Sequence, residues 1–272
     1  MKTVFVCGPE PEDIFTAVYD AWASRLGHGH VELEIGEENW QGQLFSEYRR
    51  VERDSEKAQK VARSVNSRIS PEAYHGIYQA ALSFSADRAE AIYRFLIRGF
   101  QMGARVTDCL QDPAVGRVFE LSRRVGREGH LFLEFARFVQ WDNGVLFARL
   151  EPKSNILPII APHFAGRLSG EDWIIFDAVR HRAAVHPAGR TWFLMDTADS
   201  GWDDMFDRPA GEGEITIANA GGDGAVWEDL WRSFVKTIAI EARVNPGLQR
   251  NLMPLWYRKN MTEHQKPAGR KK

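Results

Sequence analysis

The chain has 272 residues, 44% of them hydrophobic and 26% charged. These are ordinary values for a globular protein, and the length suffices for one large core or two smaller ones. A formal net charge of −2 excludes a global basic field that would draw the whole molecule onto nucleic acid, so any such contact has to use a local patch. Two cysteines, Cys7 and Cys109, are too few for a disulfide framework or a cysteine-ligated iron–sulfur cluster. Their scarcity points to a reducing, cytoplasmic setting. No apolar run approaches the roughly 20 residues that cross a bilayer, and the apolar start meets Gly8 and Pro9 too soon for a signal sequence.

Lys2 to Val6 read as a short buried strand. A helix follows, with Ile14, Ala17, Val18, Ala21 and Trp22 on one face, Glu12 and Asp13 in its first turn, and Gly27 as its stop. His30 to Ile35 read as a second strand. Asp54 caps a helix carrying Ala58, Val61, Ala62 and Val65. Ser70 and Pro71 start another, since proline at the first helical position loses no hydrogen bond. Ser85 is expected to cap the next, with Ala89, Ile92, Tyr93, Leu96 and Phe100 on one face, and Asp112 with Pro113 opens a further one. Short loops predict an antiparallel helical lobe over residues 1–128.

The period then changes. Phe132 to Trp141 and Val145 to Leu150 flank Asp142, Asn143 and Gly144, a hairpin signal. Ile156 to Leu168 read as a helix interrupted by Pro158 and Pro162. Trp173 to Phe176, Arg182 to His186 and Thr191 to Met195 read as three short strands. Residues 129–195 thus predict a small, mostly antiparallel sheet crossed by a helix. Residues 196–224 read as a loop, 225–265 as C-terminal helices and 266–272 as a basic tail. The expected fold class is α+β: a helical N-terminal lobe, the small sheet and a helical C-terminus, with the lobes sharing one core.

The residues name no reaction. A Walker A loop is absent, and the glycines 221, 222 and 224 lack a lysine in register. His28 with His30, and His181 with His186, do not make a zinc set, and no metal or cofactor is expected. Aspartates 203, 204 and 207 read as a solvated acidic loop. Two readings of Ala161-Pro162-His163-Phe164 stay open: a kinked helix whose His163 bonds the backbone, or a general acid or base at His163. The C-terminal stretch mixes Arg250, Asn251, Arg258 and Lys259 with Trp256 and Tyr257. Basic groups interleaved with aromatics suit a phosphate backbone and stacked bases. Equally, Trp256 and Tyr257 suit packing of the tail onto the core. Arg180 and Arg182 join the patch if the fold brings them near.

Several segments together resemble a known family: "GIYQAALSF", "FLEFARFVQWDNGVLFARLEP", "NILPIIAPHFAGRL", "WIIFDAVRHRAAVH" and "NPGLQRNLMPLWYRKNMTE", with "IFTAVYDAWASRLGHGHVELE" and "LFSEYRRVERDSEKAQKVARSVNSRIS" in the first half. The family is bacterial, is described as DNA metabolism proteins, and carries the DUF4130 domain. Its members are typically encoded beside a radical SAM protein thought to modify or repair DNA. The family often begins with a YDGSF-like segment, where this chain has Cys7-Gly8-Pro9-Glu10. The resemblance implies a DNA-binding or adaptor protein with a radical SAM partner, and supplies no catalytic residue. The rival expectation is an enzyme acting on nucleic acid or nucleotides with His163 at its centre; a third is a structural subunit that binds only the partner protein.

Overall fold

The computed structural model describes residues 2–36, 46–141, 144–198, 250 and 253–264. The fold is α+β. The chain divides into two compact units, Met1–Arg127 and Glu128–Lys272, and the main hydrophobic clusters fall one in each.

In the first unit β1 (Lys2–Cys7) lies at the centre of a three-stranded sheet, with β2 (Val31–Ile35) and β3 (Ser46–Arg50) parallel on either side. Val4, Phe5, Val6 and Cys7 are all buried, the continuous pattern of a central parallel strand rather than alternation. Around the sheet run α1 (Pro11–Ala23), α2 (Ser55–Arg68), α3 (Pro71–Ala81) and α4 (Arg88–Met102), and α5 (Pro113–Phe135) follows. Ile14, Val65, Ile77, Ile92, Leu96 and Leu121 are fully enclosed in their shared core.

Two of these strands, at Lys2 to Val6 and His30 to Ile35, are expected within the helical reading of residues 1–128; the third strand and the parallel pairing are not. That third strand, Ser-Glu-Tyr-Arg-Arg, is half-exposed and polar, so it lacks the hydrophobic run that announces a buried strand.

Local chemistry sets the helix starts. At α1 the Glu10 side chain accepts from the third helical N–H, while Asp13 accepts from the Glu10 N–H at 3.1 Å, a reciprocal capping box. The same Asp13 carboxylate takes a two-pronged bond from Arg53, 2.7 Å from Nε and 2.9 Å from Nη2. Gly8 makes this possible: a Cβ there would stand 2.4 Å from Asp13 Oδ2. Asp54 caps α2 by accepting from the Glu56 and Lys57 N–H groups, and Ser70 caps α3 through the Ala73 N–H. Ser85 does not cap α4. The helix starts after Asp87, and the Ser85 hydroxyl instead donates to Asp87 and accepts from Arg117.

The second unit holds a five-stranded sheet in the order β4 (Val139–Gln140), β5 (Leu146–Leu150), β6 (Trp173–Asp177), β7 (Arg182–His186), β8 (Phe193–Asp196). All pairs are antiparallel except β5 and β6, which run parallel and are joined through α6 (Leu157–Arg167). The helix packs against β6 and β7, as a helix crossing the sheet requires.

Two expectations are corrected. Phe132 to Trp141 is not one strand: α5 continues to Phe135 and only Val139–Gln140 pair. Leu121, Val125 and Phe132 are buried at spacings of four and seven, so a helical stripe overrides the local alternation. Nor is α6 interrupted. Pro158 falls in its first turn, where no hydrogen bond is lost, and the helix carries Pro162 in its interior. Residues 142–143 of the predicted hairpin turn, the loop beyond residue 198 with its acidic residues 203, 204 and 207, residues 225–249 and 251–252 of the expected C-terminal helices, and the tail from Lys266 lie outside the described residues.

Cys7 ends β1 in the core. Burial, reinforced by nearby Asp13, pushes its thiol up to about 12. Cys109 is only half-buried. Titration with a disulfide reagent near pH 8 is therefore expected to modify Cys109 alone in the folded protein and both thiols in denaturant. Rapid native modification of Cys7 would contradict the placement of β1.

Candidate functional site

Parallel β5 and β6 end side by side, Leu150 opposite Asp177. Ligand sites of α/β units gather at such carboxyl ends. Two loops leave from here: residues 151–155 toward α6, and residues 178–181 toward β7.

Each loop is held by a buried carboxylate. Glu128, 8% exposed, accepts from the Lys153 N–H at 2.7 Å and the Ser154 N–H at 3.1 Å. Asp177, whose side chain is fully enclosed, accepts from the Val179 and Arg180 N–H groups at 2.9 and 3.2 Å and from Arg180 Nη1 at 3.0 Å. Arg180 then ties the loops together, donating to the Pro152 carbonyl at 3.2 Å and to the Lys153 carbonyl. Burial pushes the Asp177 carboxyl above its ordinary range, and Arg180 opposes that shift.

The segment Leu255–Asn260, a 3₁₀ turn, docks on the same edge. Tyr257 is buried, its ring 4.9 Å from Phe132 and 5.3 Å from Phe135. Trp256 is half-buried. It meets Phe132 edge-on at 5.7 Å and Tyr257 at 3.8 Å, and Lys153 Nζ stands 5.6 Å from its ring centre. Lys259 Nζ reaches Glu151 at 2.6 Å while remaining well exposed, and Arg149 also pairs with Glu151 and donates to Asn260 at 3.4 Å. Burial alone would raise the Glu151 carboxyl, but the bonds from Lys259 and Arg149 outweigh it and hold it below the usual range. A second tether joins Arg137 to Glu263 at 2.7 Å.

Of the residues singled out in the sequence, Arg180, Trp256, Tyr257, Arg258 and Lys259 thus meet at or beside one edge. Their roles differ. Tyr257 is a core residue with no face left for stacking. Arg258 is half-buried, its Nε enclosed with no hydrogen-bond partner among the described residues. Arg182 lies on the same edge, paired across the strands with Asp177 and Asp196, and its Nε stands 3.8 Å from Asp196. Arg250 is exposed and Asn251 lies outside the described residues. His163 is exposed on α6, its ring 5.5 Å from Phe164.

Sequence reasoning missed Arg149, Lys153 and the buried Glu128 and Asp177. Only the placement of Pro152 and Lys153 directly after a strand hinted at a loop on a sheet edge. Among the described residues no group of three or more His, Cys, Asp or Glu side chains converges as metal ligands, and no helix is long and apolar enough to cross a membrane.

The chain belongs to the DUF4130 family, a domain of unknown function, which it matches over residues 86–263, more than half of its length. That span takes in every described residue of this edge. No curated protein matches the chain.

Arg180→Ala leaves Asp177 buried without its cation. The loss is expected to be about 3 kcal/mol at pH 7. Because the folded carboxyl sits above its unfolded value, its contribution favours folding at low pH and is lost as pH rises through the folded value. Chemical denaturation should therefore show a penalty for the variant that shrinks toward pH 4. A penalty independent of pH would mean that Arg180 acts only through the loop carbonyls.

Proposed function

We propose that this protein is a DNA-metabolism accessory, a nucleic-acid-binding or adaptor partner of a radical SAM DNA-repair or DNA-modifying enzyme in a bacterial cytoplasm. Its contact surface is the edge around Trp256. The reading is carried by one observation: Lys153 stands over a half-exposed indole, with the Lys259 ammonium on the same edge. Five cations (Arg149, Lys153, Arg180, Arg258 and Lys259) share this region with three carboxylates, Glu128, Glu151 and Asp177, which leaves an excess of positive charge for phosphates. An indole beside ammonium groups suits a base stacked next to its own backbone. The resemblance of the chain to a family described in terms of DNA metabolism supports the same reading and supplies the partner. That partner would bring the cysteine-held cluster for which this chain has too few cysteines.

The test is a fluorescence-anisotropy titration with single- and double-stranded DNA at several salt concentrations, with and without the radical SAM protein. Lys153→Ala with Lys259→Ala is expected to reduce the slope of log affinity against log salt by about 2, one per phosphate contact. Trp256→Ala is expected to weaken single-strand binding about tenfold or more, with thermal melting to confirm that the fold persists. Unchanged affinity and slope in all variants would remove this edge from the reading. DNA binding only when the partner is present would leave the adaptor role.

A further inference from the structure

The first unit carries a charged surface that the edge around Trp256 does not use. From Lys57 to Arg68 the chain has four basic residues, Lys57, Lys60, Arg63 and Arg68, and no carboxylate. This stretch is nearly all of α2. Its apolar face, Ala58, Val61 and Val65, is buried in the core. At 100° per residue the opposite face carries Gln59, Lys60, Arg63, Asn66 and Ser67, and all five are exposed.

The cations of α2 divide by their surroundings. Lys57 is engaged by Asp20 at 2.8 Å. Lys60 has a distant carboxylate, Glu56 at 3.9 Å, and also stands 5.8 Å from the Tyr19 ring. Among the described residues Arg63 bonds only the Gln59 carbonyl of its own helix, at 3.4 Å. Among the described residues neither Arg63 nor Arg68 has a carboxylate within ion-pair distance. The helix dipole accounts for a cation in the last turn, Arg68, but not for Lys60 and Arg63 in the middle. An amphipathic helix in a chain of net negative charge would ordinarily interleave acids at such positions. Here the interleaved residues are Gln59, Asn66 and Ser67: the Asn66 amide and the Ser67 hydroxyl donate to the Ala62 and Arg63 carbonyls of their own helix, at 2.9 and 2.8 Å, and Gln59 is an exposed neutral group of the kind that bonds phosphate oxygens.

We propose that the exposed face of α2 is a second contact for the phosphate backbone of nucleic acid, with Lys60 and Arg63 as its cations and Gln59 as a neutral donor. The proposal rests on the reading of the chain as a nucleic-acid-binding protein. It adds a site in the first unit, outside residues 86–263. Side chains of this kind position a backbone without reading its sequence.

The test uses the full chain and a duplex DNA probe, titrated by anisotropy from low to moderate salt. Three forms are compared with the parent: Lys60→Ala with Arg63→Ala, Glu56→Gln, and Lys153→Ala with Lys259→Ala. Circular dichroism confirms that each is folded. The Lys60/Arg63 form is expected to lower the salt slope by about 2 for any duplex sequence. Glu56→Gln, which removes the acid at the head of the stripe, is expected to tighten binding about twofold, a change that a merely structural role of the helix would not produce. Unchanged slope and affinity in both α2 forms, with a loss in the Lys153/Lys259 form, would overturn this proposal and leave the edge around Trp256 standing. No binding by the parent chain at low salt would overturn both.

Discussion

A carboxylate buried at the end of a strand must be met by donors, and at Asp177 three of them come from the turn that follows. That demand shapes the second unit. The Asp177 oxygens fix the Val179 and Arg180 amides, and the guanidinium drawn in to balance the charge goes on to hold the loop after β5. Glu128 does the same from the other side, through the amides of Lys153 and Ser154. Two loops that would otherwise be free at a sheet edge are thereby fixed in relation to one another. Buried charges of this kind add little net stability compared with apolar packing, but they are exacting about geometry. Their return is a defined backbone at the place where Lys153 meets Trp256.

The segment around Trp256 shows how one stretch of sequence serves two ends. Tyr257 and Trp256 are adjacent, yet a 3₁₀ turn sends one ring into the core and leaves the other half in solvent. Tyr257 anchors the segment on α5 through Phe132 and Phe135. Lys259 and Glu151 hold its far end, and Arg137 with Glu263 hold the residues just beyond. The packing and nucleic-acid readings of this stretch are therefore not exclusive. Packing by Tyr257 is what presents Trp256 and Lys259 on the surface.

The sequence was informative wherever a local rule decides the outcome. The caps at Asp54 and Ser70, the proline at the start of α3, the strand at Lys2–Cys7 and the three strands from Trp173 onward all follow from neighbours in the chain. Legibility failed where distant residues decide. β3 is polar and half-exposed, and it is a strand because β1 lies beside it. Phe132 reads as part of an alternating run, but Val125 and Leu121, a turn or more upstream, claim it for a helix. The parallel pairing of β5 with β6 depends on the path of α6, which no period in the sequence reports. At the site the basic and aromatic residues were visible, but their division into anchor and surface was not. Lys153 was invisible as a member because its place is set by Glu128, twenty-five residues away.

The turn between β1 and α1 carries a consequence for how this protein can change. Position 8 has room for hydrogen only because the Asp13 carboxylate occupies the space a methyl group would need, and Asp13 is there to cap α1 and to hold Arg53. The three positions form a lock that cannot be altered one residue at a time. Any side chain at 8 displaces the carboxylate, which uncaps the helix and strands the guanidinium of Arg53. A lineage could relax the lock only in order, first by giving up Asp13 and Arg53, and only then by losing the glycine. Related chains are expected to keep all three residues or to differ at 13 and 53 before they differ at 8.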